Sequence, residues 1–232
     1  MNFENPLQPA TLIKRYKRFL ADVTTAGGDE ITVHCPNSGS MRGCATPGSP
    51  VMLSTSPNLK RKYPQTLEMV QNDHTWIGVN TMLTNKIVAD AITDGEIAEL
   101  QNVDRLTREV TTSKSSRLDI LLERGEEKIY VEVKNCSLVE DGWATFPDSV
   151  TARGTKHLNE LARLVAEGNR GIIFFLIQRT DADRFRPAAH IDPTYAETLT
   201  EVSKKGVEIL AYQAEVLPES ICIRRSIPCF LK

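Results

Sequence analysis

Two acidic residues and one lysine lie near the middle of the chain with a spacing that suits metal-dependent chemistry. Asp119 falls in the apolar segment 118–122, whereas Glu132 and Lys134 lie two apart in and just after the segment 129–133. Side chains two apart on a strand share a face, and a hairpin would bring Asp119 beside Glu132. Two carboxylates can hold Mg²⁺ or Mn²⁺, such an ion activates water and polarises a phosphoryl oxygen, and a lysine stabilises developing negative charge. The pattern therefore suits a divalent-metal phosphodiesterase site.

The same spacing also suits a structural alternative. Glu and Lys often alternate on a solvated edge strand, where cross-strand ion pairs are ordinary. Spacing alone leaves both interpretations open, because short motif matches are frequently false.

A polar segment, FPDSVTARGTKH at residues 146–157, precedes the next predicted helix. Arg153, Lys156 and His157 could contact phosphates there, because a helix N-terminus attracts anions. Asp148 could add a metal ligand. The alternative is an ordinary capped loop with a solvated basic face, and for His157 alone that alternative is favoured.

Two basic clusters in the first third of the chain predict contacts to nucleic acid. Residues 1–84 carry a net charge of +2 and residues 85–232 a net charge of −4. The basic residues are interleaved with aromatic side chains, as in sites that combine phosphate contacts with base stacking. The predicted nucleic-acid-binding residues of these clusters are Lys14, Arg15, Tyr16, Lys17, Arg18, Lys60, Arg61 and Lys62. The alternative is that Phe19 belongs to the core and the cations form a solvated rim.

Hydrophobic patterning predicts two kinds of architecture that meet near residue 84. Strand candidates are the segment 11–23, with rough alternation over 16–20, and the segments 31–35 and 50–54. Residues 27–29 predict a hairpin turn, so the first part should form a small β-barrel or sandwich. The second part predicts helices at 86–92, 155–167 and 193–205, and strands at 118–122, 129–133, 172–177 and 207–212. This order indicates a mixed sheet flanked by helices.

Composition narrows the class of protein. The 232 residues are 41% hydrophobic and 25% charged, which is typical of a folded globular protein. The longest apolar run, 171–177, is too short to span a bilayer, and the N-terminal residues lack the apolar region of a secretory signal. We therefore expect a cytoplasmic protein without a membrane partner, with reduced cysteines and without an organic cofactor.

Several longer segments resemble the SfsA family of sugar fermentation stimulation proteins. They are RYKRFLADV (15–23), HCPNSGSM (34–41), RKYP (61–64), YVEVK (130–134) and the polar segment 146–157. The resemblance extends from about residue 6 to residue 210. It implies an α/β (α+β) protein with an N-terminal OB-fold-like barrel, residues 1–84, and a PD-(D/E)XK nuclease-like domain, residues 85–232.

The resemblance also implies function. It implies sequence-tolerant DNA binding and a regulatory role linked to maltose metabolism. The nuclease motif carries over to Asp119, Glu132 and Lys134, and the preceding helical acid of that superfamily would be Asp90. A helix-turn-helix described for the family would fall at 201–220, but 207–212 is a predicted strand and Pro218 would break a recognition helix.

Two functions follow from these expectations. The first is a DNA-binding protein with a Mg²⁺- or Mn²⁺-dependent nuclease site. The second is a non-catalytic DNA-binding regulator that keeps the nuclease fold as a scaffold. A sugar-linked enzyme is a third class, and no sugar-specific set of residues supports it.

Overall fold

The N-terminal part of the chain is a closed five-stranded barrel. The computed structural model describes residues 1–113 and 116–231. Neighbouring strands pair in the order β3-β2-β1-β4-β5, and a β3–β5 contact between His34 and Thr66 closes the barrel. A sixth strand extends β5 as a hairpin. The strands are β1 (Gln8–Tyr16), β2 (Leu20–Thr25), β3 (Glu30–His34), β4 (Pro50–Thr55), β5 (Gln65–Asn72) and β6 (Thr75–Gly78).

The candidate segment 11–23 divides between two strands, β1 and β2. Residues 16–20 do not continue as a strand, because Lys17 and Arg18 adopt left-handed backbone angles, with φ of 50° and 63°. They form the tight turn that joins β1 to β2. The predicted turn at 27–29 is present between β2 and β3, where Gly28 has a φ of 89° that glycine adopts without strain.

The C-terminal part is a mixed six-stranded sheet with helices on both faces. The sheet order is β15-β14-β12-β9-β8-β7, and β12 runs parallel to both β9 and β14. A short 3-10 turn at Ala98–Leu100 precedes β7. The strands of this sheet are β7 (Arg105–Ser113), β8 (Ser116–Arg124), β9 (Glu127–Cys136), β12 (Arg170–Ile177), β14 (Glu208–Val216) and β15 (Ile221–Ser226). The remaining strands, β10 (Leu138–Glu140), β11 (Trp143–Phe146) and β13 (Arg184–Pro187), form a small separate sheet.

Three helices cover the large sheet, and they are α1 (Thr84–Thr93), α2 (Ala152–Ala166) and α3 (Pro193–Lys204). Helix α1 packs on one face, whereas α2 and α3 pack on the other. The Thr151 hydroxyl accepts a hydrogen bond from Gly154 N and caps α2, and Asp192 caps α3 through Tyr195 N. Residues 201–220 form the end of α3, strand β14 and a turn.

The barrel has its own hydrophobic interior, and one side of it also packs into the core between α1 and the sheet. Leu7, Met52 and Met69 of the barrel side pack in the same cluster as α1 and the inner face of the sheet. The N-terminus also joins the C-terminal part, because Ile221 N donates to Met1 O at 2.9 Å and Phe3 N donates to Glu219 O at 3.1 Å. Among the described residues, no helix is both long and apolar enough to cross a bilayer.

Candidate functional site

A polar pocket of about 510 Å³ lies where the barrel meets the sheet and the start of α2. We call it the acid pocket. It contains Asp119, Glu132 and Lys134 together with Asn85 of α1 and Arg18 of the β1–β2 turn. A larger cavity of about 640 Å³ beside β13 and α3 is lined by other residues, and none of the predicted site residues is among them. The acid pocket is therefore the place where the sequence-predicted chemistry is assembled.

Hairpin geometry brings Asp119 to the pocket. Strands β8 and β9 pair regularly as far as Ile120 and Val131. Asp119 is the residue before Ile120 on β8. Its Oδ2 accepts a hydrogen bond from the backbone N–H of Val133 on β9 at 2.8 Å. Its other oxygen, Oδ1, accepts from the Asn85 amide of α1 at 2.8 Å. These two bonds fix the orientation of the carboxylate.

Glu132 is the most enclosed acid of the site, with only 2% of the residue exposed. Its Oε1 accepts from Lys134 Nζ at 2.5 Å and pairs with His157 Nδ1. Its second oxygen, Oε2, is buried and has no hydrogen-bond partner. A buried polar atom without a partner costs free energy, so a cation or a hydrogen-bond donor at Oε2 would stabilise the pocket.

The surroundings move the pKa values of the two acids in opposite directions. Burial, together with the negative charge of Glu132, raises the pKa of Asp119 to about 6. Burial by itself would also raise the pKa of Glu132, but the hydrogen bond from His157 and the positive charge of Lys134 outweigh it, and the net pKa is lowered. Paired groups with divergent pKa values are typical of functional sites, although structural networks also produce them.

His157 forms the wall of the pocket behind Glu132. It is 6% exposed, and Arg153 Nε donates to its Nε2 at 3.4 Å. A neutral ring that accepts at Nε2 carries its proton at Nδ1, so Nδ1 donates to Glu132 Oε1. The structure thus buries His157 as the partner of Glu132, which is neither the phosphate contact nor the solvated face that the sequence suggested.

The pocket supplies part of a coordination shell for a divalent cation. Within the described residues, no group of three His, Cys, Asp or Glu side chains is arranged to hold a metal. Asp119 and the unbonded Oε2 of Glu132 nevertheless provide hard oxygen donors. Mg²⁺ usually keeps several waters and binds through one or two carboxylates plus substrate phosphate, so the donor set fits such an ion.

Two predicted metal ligands are placed elsewhere or otherwise engaged. Asp90 is not among the residues of the pocket and pairs with Lys86 at 2.5 Å on the exposed side of α1. Helix α1 contributes Asn85 instead. Asp148 lies in the wall of the pocket, but its Oδ2 accepts from Met41 N at 2.9 Å, which ties the 34–41 segment to the C-terminal part.

Of the predicted nucleic-acid-binding residues of the β1–β2 hairpin, some are bound within the protein and others face solvent or the acid pocket. Arg15 Nη2 donates to the carbonyls of Arg18, Asn37 and Gly39 at 2.7–2.8 Å, so Arg15 is a structural clamp. Arg18, held at the turn by that clamp, lines the acid pocket. Lys14 lies over the Tyr16 ring, and Lys17 is exposed.

The second basic cluster, on the β4–β5 loop, is partly exposed. Lys60 and Lys62 are exposed, and the Lys62 ammonium lies 5.3 Å from the Tyr63 ring centroid. Arg61 is half-buried, and its Nη2 is 3.2 Å from His34 Nδ1. Neither this cluster nor Lys156 lines the acid pocket, whereas Arg153 does.

Sequence reasoning missed Asn85 and the position of Arg18 in the lining of the acid pocket. Asn85 is the second residue of α1, and its neutral amide carried no signal of a carboxylate partner. The position of Arg18 depends on how the barrel packs against the sheet, which no local pattern encodes.

Family comparisons agree with both halves of this architecture. The family model described as "SfsA N-terminal OB domain" matches residues 13–79. The model described as "Sugar fermentation stimulation protein RE domain" matches residues 82–220.

Whole-chain relatives are similar over nearly their full length. A sugar fermentation stimulation protein homologue from Desulfotalea psychrophila is 59% identical, covering 96% of this chain and 94% of that protein. The homologue from Pelobacter propionicus is 53% identical, covering 97% and 98%. The structure of Pyrococcus furiosus SfsA in complex with Ca²⁺ superimposes with a TM-score of 0.91 at 27% identity, covering 99% of this chain and 98% of that one.

An OB-type barrel fused to a nuclease-like mixed sheet, with an Asp and a Glu-x-Lys set in one pocket, defines a protein of the PD-(D/E)XK nuclease-like class. Within that class, this chain belongs to the SfsA family.

Proposed function

We propose that this protein binds DNA without strong sequence preference and hydrolyses phosphodiester bonds with Mg²⁺ or Mn²⁺ held by Asp119 and Glu132. The observation that carries the proposal is the acid pocket itself. Two carboxylates and Lys134 lie in one pocket, and Glu132 Oε2 has no partner within it. The Pyrococcus furiosus relative, solved in complex with Ca²⁺, supports a divalent ion with oxygen ligands.

The residues of the chain have separate tasks in such a reaction. A bound divalent ion would lower the pKa of a water and polarise a phosphoryl oxygen. Asn85 orients Asp119, and His157 orients Glu132. Lys134, whose ammonium lies 2.5 Å from Glu132 Oε1, places a positive charge beside the phosphate and stabilises the charge that develops there.

Binding of DNA in this proposal is electrostatic. Arg18 and Arg153 line the acid pocket from opposite parts of the chain and would contact phosphates near the reacting one. Lys17, Lys60, Arg61 and Lys62 would extend these contacts over the barrel. Phosphate contacts carry little sequence information, so the binding should be sequence-tolerant. The link to maltose metabolism remains a prediction of the family resemblance.

The direct test is cleavage of labelled single-stranded, duplex and branched DNA with Mg²⁺, Mn²⁺ or EDTA. We expect metal-dependent cleavage by the wild-type chain and none by Asp119→Asn. Asp90→Asn is the matched control, because Asp90 is a helix acid outside the pocket, and this variant should cleave normally. Metal-independent cleavage, or equal cleavage by Asp119→Asn, would contradict the proposal.

A second candidate is a non-catalytic DNA-binding regulator. One observation favours it: Lys134 and His157 both occupy Oε1 of Glu132, so the described residues already neutralise that carboxylate. In this case wild-type protein should bind DNA and leave it intact with every divalent ion tested. The cleavage assay therefore separates the two functions.

A further inference from the structure

A second cleft, of about 420 Å³, adjoins the acid pocket. It shares two wall residues with that pocket, Arg153 and His157. We call it the hairpin cleft, because the β7–β8 hairpin forms its other side. The remaining described residues that line it are Thr111, Ser113, Ser116, Arg117 and Lys156.

The acid pocket and the hairpin cleft lie next to each other on one face of the sheet. Arg117 and Asp119 are two apart on β8, so their side chains leave the strand on the same side. Asp119 faces the acid pocket and Arg117 faces the hairpin cleft. Thr111 and Ser113 are also two apart, on the paired strand β7. A DNA strand that lies in the acid pocket would therefore continue into the hairpin cleft.

The lining of the hairpin cleft is basic, whereas the acid pocket mixes three carboxylates, those of Asp119, Glu132 and Asp148, with basic side chains. The described side chains of the hairpin cleft comprise three hydroxyl groups, two arginines, one lysine and His157, and none is a carboxylate. Hydroxyl and guanidinium groups are the usual partners of phosphate oxygens. This composition suits an anion and does not suit a divalent cation.

Arg117 is the residue best placed to exchange partners when an anion arrives. Its side chain is 60% exposed, and its Nε lies 2.9 Å from Glu109 Oε2, which is 47% exposed. Exposed ion pairs of this kind contribute little net stability, so a phosphate can replace Glu109 at small cost.

We propose that the hairpin cleft binds the phosphate next to the one that enters the acid pocket. The assignment of this phosphate as the neighbour of the reacting one rests on the proposed function. Binding of an anion by the cleft does not rest on it. Two kinds of DNA phosphate have this chemistry: an internal phosphodiester of a continuing strand, and the terminal phosphate of a strand end.

The test compares Arg117→Ala with Arg105→Ala by fluorescence anisotropy of labelled oligonucleotides in EDTA over a series of salt concentrations. Arg105 is a matched control, because it is an exposed arginine of the same hairpin, 3.7 Å from Glu123, and it does not line the cleft. We expect about tenfold weaker binding for Arg117→Ala, since a charged hydrogen bond is lost. The slope of log affinity against log salt should become shallower by about one.

The two sources are separated by the form of the DNA. Circular single strands have no ends, so a defect of Arg117→Ala on circles identifies an internal phosphodiester. A defect confined to linear oligonucleotides with a terminal phosphate identifies a strand end. Arg117→Lys, which keeps the charge, should recover most of the salt slope.

The proposal is overturned if Arg117→Ala binds every DNA form with the affinity and salt slope of the wild type. It is also overturned if Arg105→Ala loses as much as Arg117→Ala. Because these measurements are made without metal, they do not depend on cleavage. Absence of cleavage by the wild type would contradict the proposed function and leave this result standing.

Discussion

Replacement of Asp119 by Asn should make the metal-free protein more stable and abolish its response to metal. Asn is nearly isosteric, and its carbonyl can accept the Val133 N–H as Asp119 does now. Its amide can then donate to Asn85, whose side-chain amide would turn by half a rotation. The hydrogen bonds of the site are thus kept while one buried negative charge is removed.

The size of the gain follows from the pKa of Asp119. Burial and the charge of Glu132 raise this pKa from 3.8 to about 6. At about 1.4 kcal/mol per pKa unit, the ionised carboxylate costs the folded state about 3 kcal/mol. Because the raised pKa means tighter proton binding in the folded state, the contribution of Asp119 to stability is full below pH 3.8 and is lost as the pH rises through about 6. We expect Asp119→Asn to exceed the wild type by about 1–3 kcal/mol at pH 8 in EDTA and to match it near pH 4.

Metal should reverse that order. An ion at a concentration 1,000 times its Kd adds about 4.1 kcal/mol to the free energy of unfolding, which exceeds the expected advantage of Asp119→Asn, and only the wild type should gain it. The assay is urea denaturation at pH 8 with EDTA or with saturating Mn²⁺, and Asp90→Asn serves as the control that keeps the metal response. The reasoning is refuted if Asp119→Asn is less stable than the wild type in EDTA, or if Mn²⁺ stabilises both proteins equally.

Three further outcomes can be measured. Arg15→Lys should lower the free energy of unfolding by about 2 kcal/mol in urea denaturation, because lysine cannot bridge several carbonyls; a change within error would contradict the clamp. Alanine at residues 60–62 should weaken binding to all DNA sequences alike and flatten the salt dependence, and unchanged anisotropy curves would remove this cluster from the interface. Burial raises the pKa of Glu68, so the contribution of Glu68 to stability is lost with rising pH. The melting temperature of Glu68→Gln minus that of the wild type should therefore increase between pH 4 and pH 8, and a constant difference would refute this.

The sequence could predict the hairpin acids because their placement is local. Strand period fixes Glu132 and Lys134 on one face, and a short hairpin brings Asp119 opposite. Burial of residues 172–177 followed from their continuous apolar run, which is typical of a strand covered on both faces.

The other parts of the site depend on contacts that are distant in sequence. Asp90 resembled a helical ligand, but α1 is rotated so that Asn85 meets Asp119. His157 looked like an exposed basic residue, yet α2 carries it under Glu132. The segment 11–23 is interrupted by a turn at residues 17–19, where three carbonyls from the turn and the 34–41 segment accept from Arg15.

The packing of the barrel against α1 and the sheet limits how the two halves can evolve. Leu7, Met52 and Met69 bury apolar surface against α1 and the sheet, and the first three residues are hydrogen-bonded beside β15. A gene fragment that ended near residue 84 would expose that surface to water. Recombination between distant relatives at this point would join mismatched surfaces, so the two halves should be inherited as one unit, even though each matches its own family model.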